Sequence, residues 1–171
     1  DGNLLEPKWS DDSQAHLDTT DYPKIIRTNN GQIYDSAGTS TIFRCLHLEN
    51  TSSGFNQGSV LNATFAEAIR QLYVGCFMRA PDNSSASNNN ARVHSNFGSK
   101  SIMCEIVMLG TKFDAIVQNG GTNQGSLFNC RIYGANTSGS GNGNGVKCDT
   151  NTPQIINCVI DNVHGDGISD Q

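Results

Sequence analysis

Two acidic residues of this 171-residue chain, Asp114 and Asp166, are candidates for the carboxyl groups of glycoside cleavage. That reaction uses two carboxyl groups, about 5 Å apart when it retains the anomeric configuration and about 6.5–9.5 Å apart when it inverts it. Asp114, Asn144 and Asp166 each stand two residues before an apolar residue of a strand-like segment. Stacking of these segments would put the Asp114 and Asp166 backbones about 10 Å apart. The alternative is a structural ladder, because Asn and Asp at turns hydrogen-bond to nearby backbone groups.

A second candidate site is a band of charged and aromatic residues that follow cysteines by one or by three positions. The band comprises Phe77, Arg79, Glu105, Arg131, Tyr133 and Asp161. Residues two positions apart on a strand share a face, so the band would form one surface. Aromatic rings pack against sugars, and charged groups hold hydroxyls or uronates. Glu105 and Asp161 are therefore candidate catalytic residues, and the other four are candidates for substrate binding. Contact between subunits of a trimer is an alternative use of this surface.

His164 stands between Asp161 and Asp166 and is a further candidate for substrate binding or acid–base chemistry. A histidine in a glycine-rich turn can equally be structural. The chain has no Cys-x-x-Cys pair, no Cys/His spacing typical of zinc and no dense acidic cluster typical of calcium. The sequence therefore predicts neither a metal nor a cofactor.

The elements that must position these residues are segments centred on cysteines. Five cysteines, Cys45, Cys76, Cys104, Cys130 and Cys158, follow one another at intervals of 31, 28, 26 and 28 residues. A strand-sized segment that recurs at such a period indicates a repeat structure. We predict one strand through each cysteine, with the residues two positions before and after it on the same buried face. With turn-rich spacers, these strands predict an all-β fold, a parallel β-helix of about five to six coils.

Two details qualify this pattern. His47 interrupts the predicted apolar face of the first strand, and a second set of strands is predicted between the cysteine-centred ones. In this second set Ile116, Val146 and Ile168 superpose as core residues.

The six cysteines of the chain could pair as three disulfides in a secreted protein. Cysteines at one position of in-register strands have parallel Cβ vectors, which is poor geometry for a disulfide. We therefore predict free, buried thiols, which suits synthesis in a reducing cytosol.

Composition narrows the classes of partner and the domain organisation. The net charge of −5 does not favour nucleic acid, and no apolar run is long enough for membrane insertion. Residues 1–21 are expected to form an irregular lead-in, a cap or a linker, and residues 22–171 the β-helix domain. Because the chain opens without Met and stops inside a predicted coil, we expect it to be a fragment of a longer polypeptide.

Several stretches resemble the pectate-lyase-like β-helix superfamily, which includes bacteriophage tailspikes and capsule depolymerases. They are residues 24–50, which resemble an early coil, the Asn-Cys-x-Ile stretches at Asn129 and Asn157, and the Gly-Asp-Gly-Ile stretch at Gly165. The resemblance implies a right-handed, single-stranded β-helix. In tailspikes it also implies a homotrimer that binds, and often cleaves, a bacterial surface polysaccharide.

The first functional hypothesis is accordingly a phage tail spike or fibre, made in the host cytoplasm and placed in the virion tail beside other tail proteins. If it is an enzyme, it is a polysaccharide depolymerase, either a glycoside hydrolase or a polysaccharide lyase. Two alternatives stay open. One is a non-enzymatic structural or adhesive β-helix of a virion or cell surface, and the other is an extracellular, stand-alone lyase or hydrolase.

Overall fold

The computed structural model describes most of the chain, in thirteen stretches. They are residues 4–10, 16–29, 33–36, 40–52, 59–63, 71–80, 92–95, 99–108, 116–118, 125–134, 144–148, 154–163 and 165–170. Within these stretches the protein is all-β and contains no helix. It follows that no helix of the described part is long and apolar enough to cross a membrane.

The strands of the described residues form three parallel sheets. Sheet 1 contains β1 (Lys24–Arg27), β4 (His47–Asn50), β7 (Phe77–Ala80), β10 (Glu105–Met108), β13 (Arg131–Tyr133) and β16 (Val159–Asp161). Sheet 2 contains β2 (Tyr34–Ser36), β5 (Ser59–Ala63), β8 (Arg92–Ser95), β11 (Ile116–Gln118), β14 (Val146–Cys148) and β17 (Ile168–Asp170). Sheet 3 contains β3 (Thr41–Arg44), β6 (Gln71–Val74), β9 (Lys100–Ile102), β12 (Ser126–Phe128) and β15 (Gln154–Ile156).

The chain visits the three sheets in rotation, so every third strand returns to the same sheet beside its predecessor. Each pairing within the sheets is parallel, as in Ile106 with Ile132 or Val146 with Ile168. Stacked parallel sheets with this strand order are consistent with a β-helix. The second strand set is confirmed, because Ile116, Val146 and Ile168 are direct partners across β11, β14 and β17. As core residues they are confirmed only in part, since Val146 is fully buried but Ile168 is 49 % exposed.

The prediction of one strand through each cysteine is wrong, because each segment is two strands joined by a bend. The residue before the cysteine has a positive φ, which is 61° at Gly75, 51° at Met103 and 52° at Asn129 and Asn157. A left-handed residue turns the chain from sheet 3 into sheet 1, so side-chain alternation does not continue across it. Its N–H stays paired, as in Gly75 N–H donating to the Ile102 carbonyl over 2.9 Å.

Because of the bend, the buried positions on its N-terminal side lie one residue earlier in the chain than predicted. Tyr73 and Leu127, three residues before their cysteines, are fully buried, whereas Val74 and Phe128, two residues before, are only half-buried. On the C-terminal side the predicted positions are confirmed, since Met78, Ile106 and Ile132 are fully buried.

The first cysteine is out of register with the others. Arg44 pairs with Val74 and Leu48 with Met78, so Cys45 aligns with Gly75 and Leu46 with Cys76. Cys45 therefore takes the left-handed position itself, with a φ of 47°. This shift explains the apparent interruption at His47, which lies on the outer face while Leu48 is fully buried.

All six cysteines are free, and five are buried while Cys158 is half-buried, as predicted. Each thiol that follows a bend also contacts a carbonyl on the other side of the same bend. Cys104 Sγ lies 3.4 Å from the Ile102 carbonyl and Cys130 Sγ 3.3 Å from the Phe128 carbonyl, two residues back in each case. Burial raises the pKa of the Cys104 thiol well above its usual value, so this thiol stays neutral.

An N-terminal arm, residues 4–10 and 16–22, lies on the outer face of sheet 1. Its two parts form an antiparallel bridge between Trp9 and Leu17, supported by Ser10 N–H donating to the His16 carbonyl over 2.6 Å. Leu17 and Tyr22 pack with Cys45, and with Trp9 and Phe77 around them. The arm runs so close to the bend at Gly75 that a Cβ there would lie 2.3 Å from the Cβ of Pro7. Its described residues therefore cover part of the outer face of sheet 1.

Candidate functional site

The outer face of sheet 1 carries two in-register columns of side chains. One column contains Lys24, His47, Phe77, Glu105, Arg131 and Val159. The other contains Ile26, Glu49, Arg79, Val107, Tyr133 and Asp161. Neighbours within a column stand about 4.8 Å apart. All six residues of the predicted band thus lie on one surface, on strands that hold them rigidly.

The arm encloses Glu105, which is only 1 % exposed. The Glu105 carboxylate accepts a hydrogen bond from Leu17 N–H over 2.6 Å and another from the Tyr133 hydroxyl over 2.6 Å. The same carboxylate lies 2.7 Å from His16 Nδ1. A buried carboxylate is stable only with such partners. Burial, together with the hydrogen bond to Glu105, raises the pKa of Tyr133, so its phenol remains a donor.

Two other members of the band are also engaged. Phe77 packs against the arm cluster and its ring centroid lies 4.6 Å from that of His47. Arg79 forms an ion pair of 3.3 Å with Glu49, whose other oxygen lies 2.9 Å from His47 Nε2. These contacts make the region around Phe77 and Arg79 an ion-paired surface next to the arm.

Beside the arm, the last strands of sheet 1 open into a groove of about 1030 Å³. Its lining includes two aromatic residues, a charged pair, three amides and three apolar residues: Trp9, Tyr133, Arg131, Asp161, Asn129, Asn157, Asn162, Met103, Cys130 and Val159. Three of these, Arg131, Tyr133 and Asp161, belong to the predicted band.

The charged pair in the groove is held in a fixed arrangement. An Arg131 Nη2 to Asp161 Oδ2 distance of 3.1 Å links β13 to β16, and the guanidinium carbon lies 4.8 Å from the centre of the Tyr133 ring. Stacking on an aromatic face orients an arginine and limits its rotamers. The Asp161 side chain is 43 % exposed and lines the groove, although its Oδ1 atom is buried without a hydrogen-bond partner.

Asparagines form one margin of the groove. Asn129 and Asn157 occupy successive left-handed bends, and Asn157 Nδ2 donates to Asn129 Oδ1 over 2.7 Å. Asn162 also has a positive φ, of 51°. Asparagine tolerates this backbone better than other non-glycine residues. The repeated Asn-Cys pair is a sequence signal that could have indicated these bends, whereas no local signal indicates that Trp9 lies in the groove.

Among the described residues, the other candidates do not line the groove. Asp114 and His164 fall outside the described residues. Asp166 precedes β17 of sheet 2, and its N–H donates to Asn144 Oδ1 over 2.8 Å, as the ladder alternative predicts. Glu105 and Asp161 are two strands apart and two positions out of register, so their Cα atoms are about 12 Å apart. Among the described residues, no group of three or more His, Cys, Asp or Glu side chains is placed to hold a metal ion.

No protein-family model, curated protein sequence or solved structure matches this chain.

Proposed function

We propose that the chain is a right-handed, single-stranded β-helix of about five to six coils whose groove binds a bacterial surface polysaccharide. Its place would be a phage tail spike or fibre, made in the host cytoplasm and assembled with other virion tail proteins. The observation that carries the proposal is the lining of the groove, where two aromatic side chains, an Arg–Asp pair and three amides converge on a rigid sheet.

These groups match the chemistry of a sugar chain. The apolar face of a pyranose packs on aromatic rings such as Trp9 and Tyr133. Its hydroxyls can donate to Asp161 and accept from Arg131 or from the amides of the asparagines. A groove open along the sheet, and not a closed cavity, suits a polymer with many repeating units.

Cleavage of the bound chain is the second part of the proposal. Of the two carboxylates in the band, Asp161 is the one that opens to the groove, and Glu105 is committed to the arm. Glycoside hydrolysis requires a second carboxyl group near the first. Asp114, which is outside the described residues, stays a candidate for this role, whereas Asp166 precedes a strand of sheet 2 and does not line the groove. A lyase would instead need a base for proton abstraction.

The test uses purified capsules, lipopolysaccharides and teichoic acids, with new reducing ends and ultraviolet absorbance followed together. Reducing ends with absorbance indicate a lyase, and reducing ends alone indicate a hydrolase. Asp161→Asn should retain binding but lose the product if Asp161 is catalytic. Tight binding without product supports a recognition module. No binding to any glycan contradicts the proposal.

A structural role in a homotrimer is the second candidate, favoured by the outer face of sheet 3. Arg44, Val74, Ile102, Phe128 and Ile156 are in register there, and Ile156 is 52 % exposed. Apart from Arg44 this column is apolar, and an apolar column on an outer face is typical of a contact between chains. Light scattering of Ile102→Asp beside wild type tests it: a trimer that dissociates on substitution supports this role, and a monomeric wild type contradicts it.

A further inference from the structure

We infer that Glu105 is a positioning residue: it holds the N-terminal arm on sheet 1 and thereby fixes Trp9 as one wall of the groove. The consequence for glycan affinity rests on the proposed function, but the consequence for the position of Trp9 does not.

The inference begins with the direction of the Glu105 side chain. Glu105 is the first residue of β10, and the next residue, Ile106, is fully buried in the core. The Glu105 carboxylate therefore lies on the outer face of the sheet, away from the core. It is nevertheless almost inaccessible, because the arm closes over it. Its burial depends on the arm, and not on the packing of the sheets.

The contacts of Glu105 bind the arm to the groove. Leu17 N–H and His16 Nδ1, both on the arm, lie 2.6 Å and 2.7 Å from its oxygens. Tyr133, which lines the groove, donates to it as well. A single carboxylate thus connects the arm to a groove residue on the neighbouring strand.

Trp9 follows this anchor because Trp9 and Leu17 are bridge partners. A second pair of backbone groups, Asp18 N–H and the Lys8 carbonyl at 3.0 Å, continues the bridge beyond them. The arm segment that carries Trp9 is therefore fixed to the segment that Glu105 holds. Displacement of Leu17 from sheet 1 would displace Trp9 from the groove.

The arm is also held by the apolar packing of Leu17 and Tyr22, but its other ion pair with the sheets is exposed and therefore weak. Arg44 pairs with Glu6 at 2.6 Å, but the Glu6 side chain is 76 % exposed. Exposed ion pairs contribute little to stability, whereas hydrogen bonds to a buried charge contribute more. Glu105 is therefore the polar anchor whose loss should loosen the arm, beside the apolar packing of Leu17 and Tyr22.

The experiment uses the fluorescence of Trp9, the single tryptophan of the chain. Glu105→Ala should shift its emission to the red and increase its quenching by acrylamide, while far-ultraviolet circular dichroism stays as in wild type. Glu105→Gln keeps an acceptor for Leu17 N–H and should restore much of the wild-type spectrum. His16→Ala removes one contact from the arm side, leaves the sheets intact and should give an intermediate shift.

Glu49→Ala is the matched control, because Glu49 is also a carboxylate on the outer face of sheet 1 but pairs with His47 and Arg79 instead of the arm. It should leave the emission of Trp9 unchanged. Wild-type emission in both Glu105→Ala and His16→Ala, or an equal shift in Glu49→Ala, would overturn the inference.

Glycan binding separates this inference from the proposed function. With a glycan that wild type binds, Glu105→Ala should bind roughly tenfold more weakly, as expected for loss of one aromatic contact. Undiminished affinity despite a red-shifted Trp9 would overturn the role of Glu105 in the groove. If wild type binds no glycan but the emission still shifts, the positioning of Trp9 stands and the proposed function fails.

Discussion

Two parts of the outer face of sheet 1 are built from the same columns but differ in what covers them. Around Phe77 and Glu105 the arm lies on the sheet, and Glu105 is buried. Two strands after Glu105, Val159 is 55 % exposed and the Asp161 side chain, 43 % exposed, lines the groove. We call these the covered part and the open part. The backbone repeat provides equivalent positions, and the cover decides whether a position is an anchor or a binding surface.

The largest effect is expected from Gly75→Ala in the covered part. The new Cβ would overlap Pro7, and alanine would have to adopt a φ of 61°. We expect a loss of about 2 kcal/mol or more in the free energy of unfolding, measured by urea denaturation. Asn157→Ala, at the equivalent bend beside the groove, is the control: it puts alanine at a similar φ of 52° without adding a Cβ, and should therefore cost less. Equal losses in the two variants would contradict the role of the arm.

The next effect distinguishes two arginines of the band. Arg131→Ala removes the side chain that lies between Asp161 and the ring of Tyr133, and should weaken glycan binding roughly tenfold. Arg79→Ala removes a similar side chain that pairs with Glu49 next to the arm, and should leave affinity unchanged. Isothermal titration calorimetry measures both. A weaker complex with Arg79→Ala alone would reverse the assignment of binding to the open part.

A smaller loss in the free energy of unfolding is expected from cysteine substitutions, and it should be equal in the covered part and the open part. Cys104 and Cys130 occupy equivalent buried positions after successive bends, and each thiol contacts the carbonyl two residues back. Alanine at either position should cost about 1 kcal/mol by leaving a small cavity, as measured by denaturation. Unequal costs would mean that the two parts differ in their core as well as in their cover.

The smallest effect concerns acid. The hydrogen bond from Lys8 lowers the pKa of Asp18 on the arm from 3.8 to about 2. A lowered pKa in the folded state contributes stability that is present above pH about 4 and is lost as the pH falls towards about 2. Trp9 emission of wild type should therefore shift slightly over this interval. Asp18→Asn should lack that step. An identical acid titration in both proteins would contradict a contribution of Asp18 to the stability of the arm.

The sequence was sufficient to predict parallel stacked strands and the columns of residues after the cysteines, because both follow from the regular spacing of the cysteines. Ile106 and Ile132, for example, were predicted to superpose and are direct partners. It was insufficient at the bends. The predicted alternation of inward and outward side chains was continued through residues such as Met103, which have a left-handed backbone. A methionine gives no local sign of that conformation, whereas the asparagines before Cys130 and Cys158 do.

The candidate site was predictable only in part, for a similar reason. Arg131, Tyr133 and Asp161 follow from spacing along strands, so their common surface could be foreseen. The burial of Glu105 could not, because it depends on a contact with residues 88 and 89 positions earlier in the chain. Nothing in the polar residues of the arm indicates which face of the sheets they will cover.

The length of sheet that the arm touches has a consequence for how the protein unfolds. In a stack of strands, each level contacts only the levels next to it, so the ends can fray independently of the middle. The arm instead contacts Arg44 and Cys45, then Gly75, Glu105 and Tyr133, which belong to four successive levels. It therefore acts as a clamp that makes these levels cooperative, and hydrogen exchange in β4, β7, β10 and β13 should occur as one event.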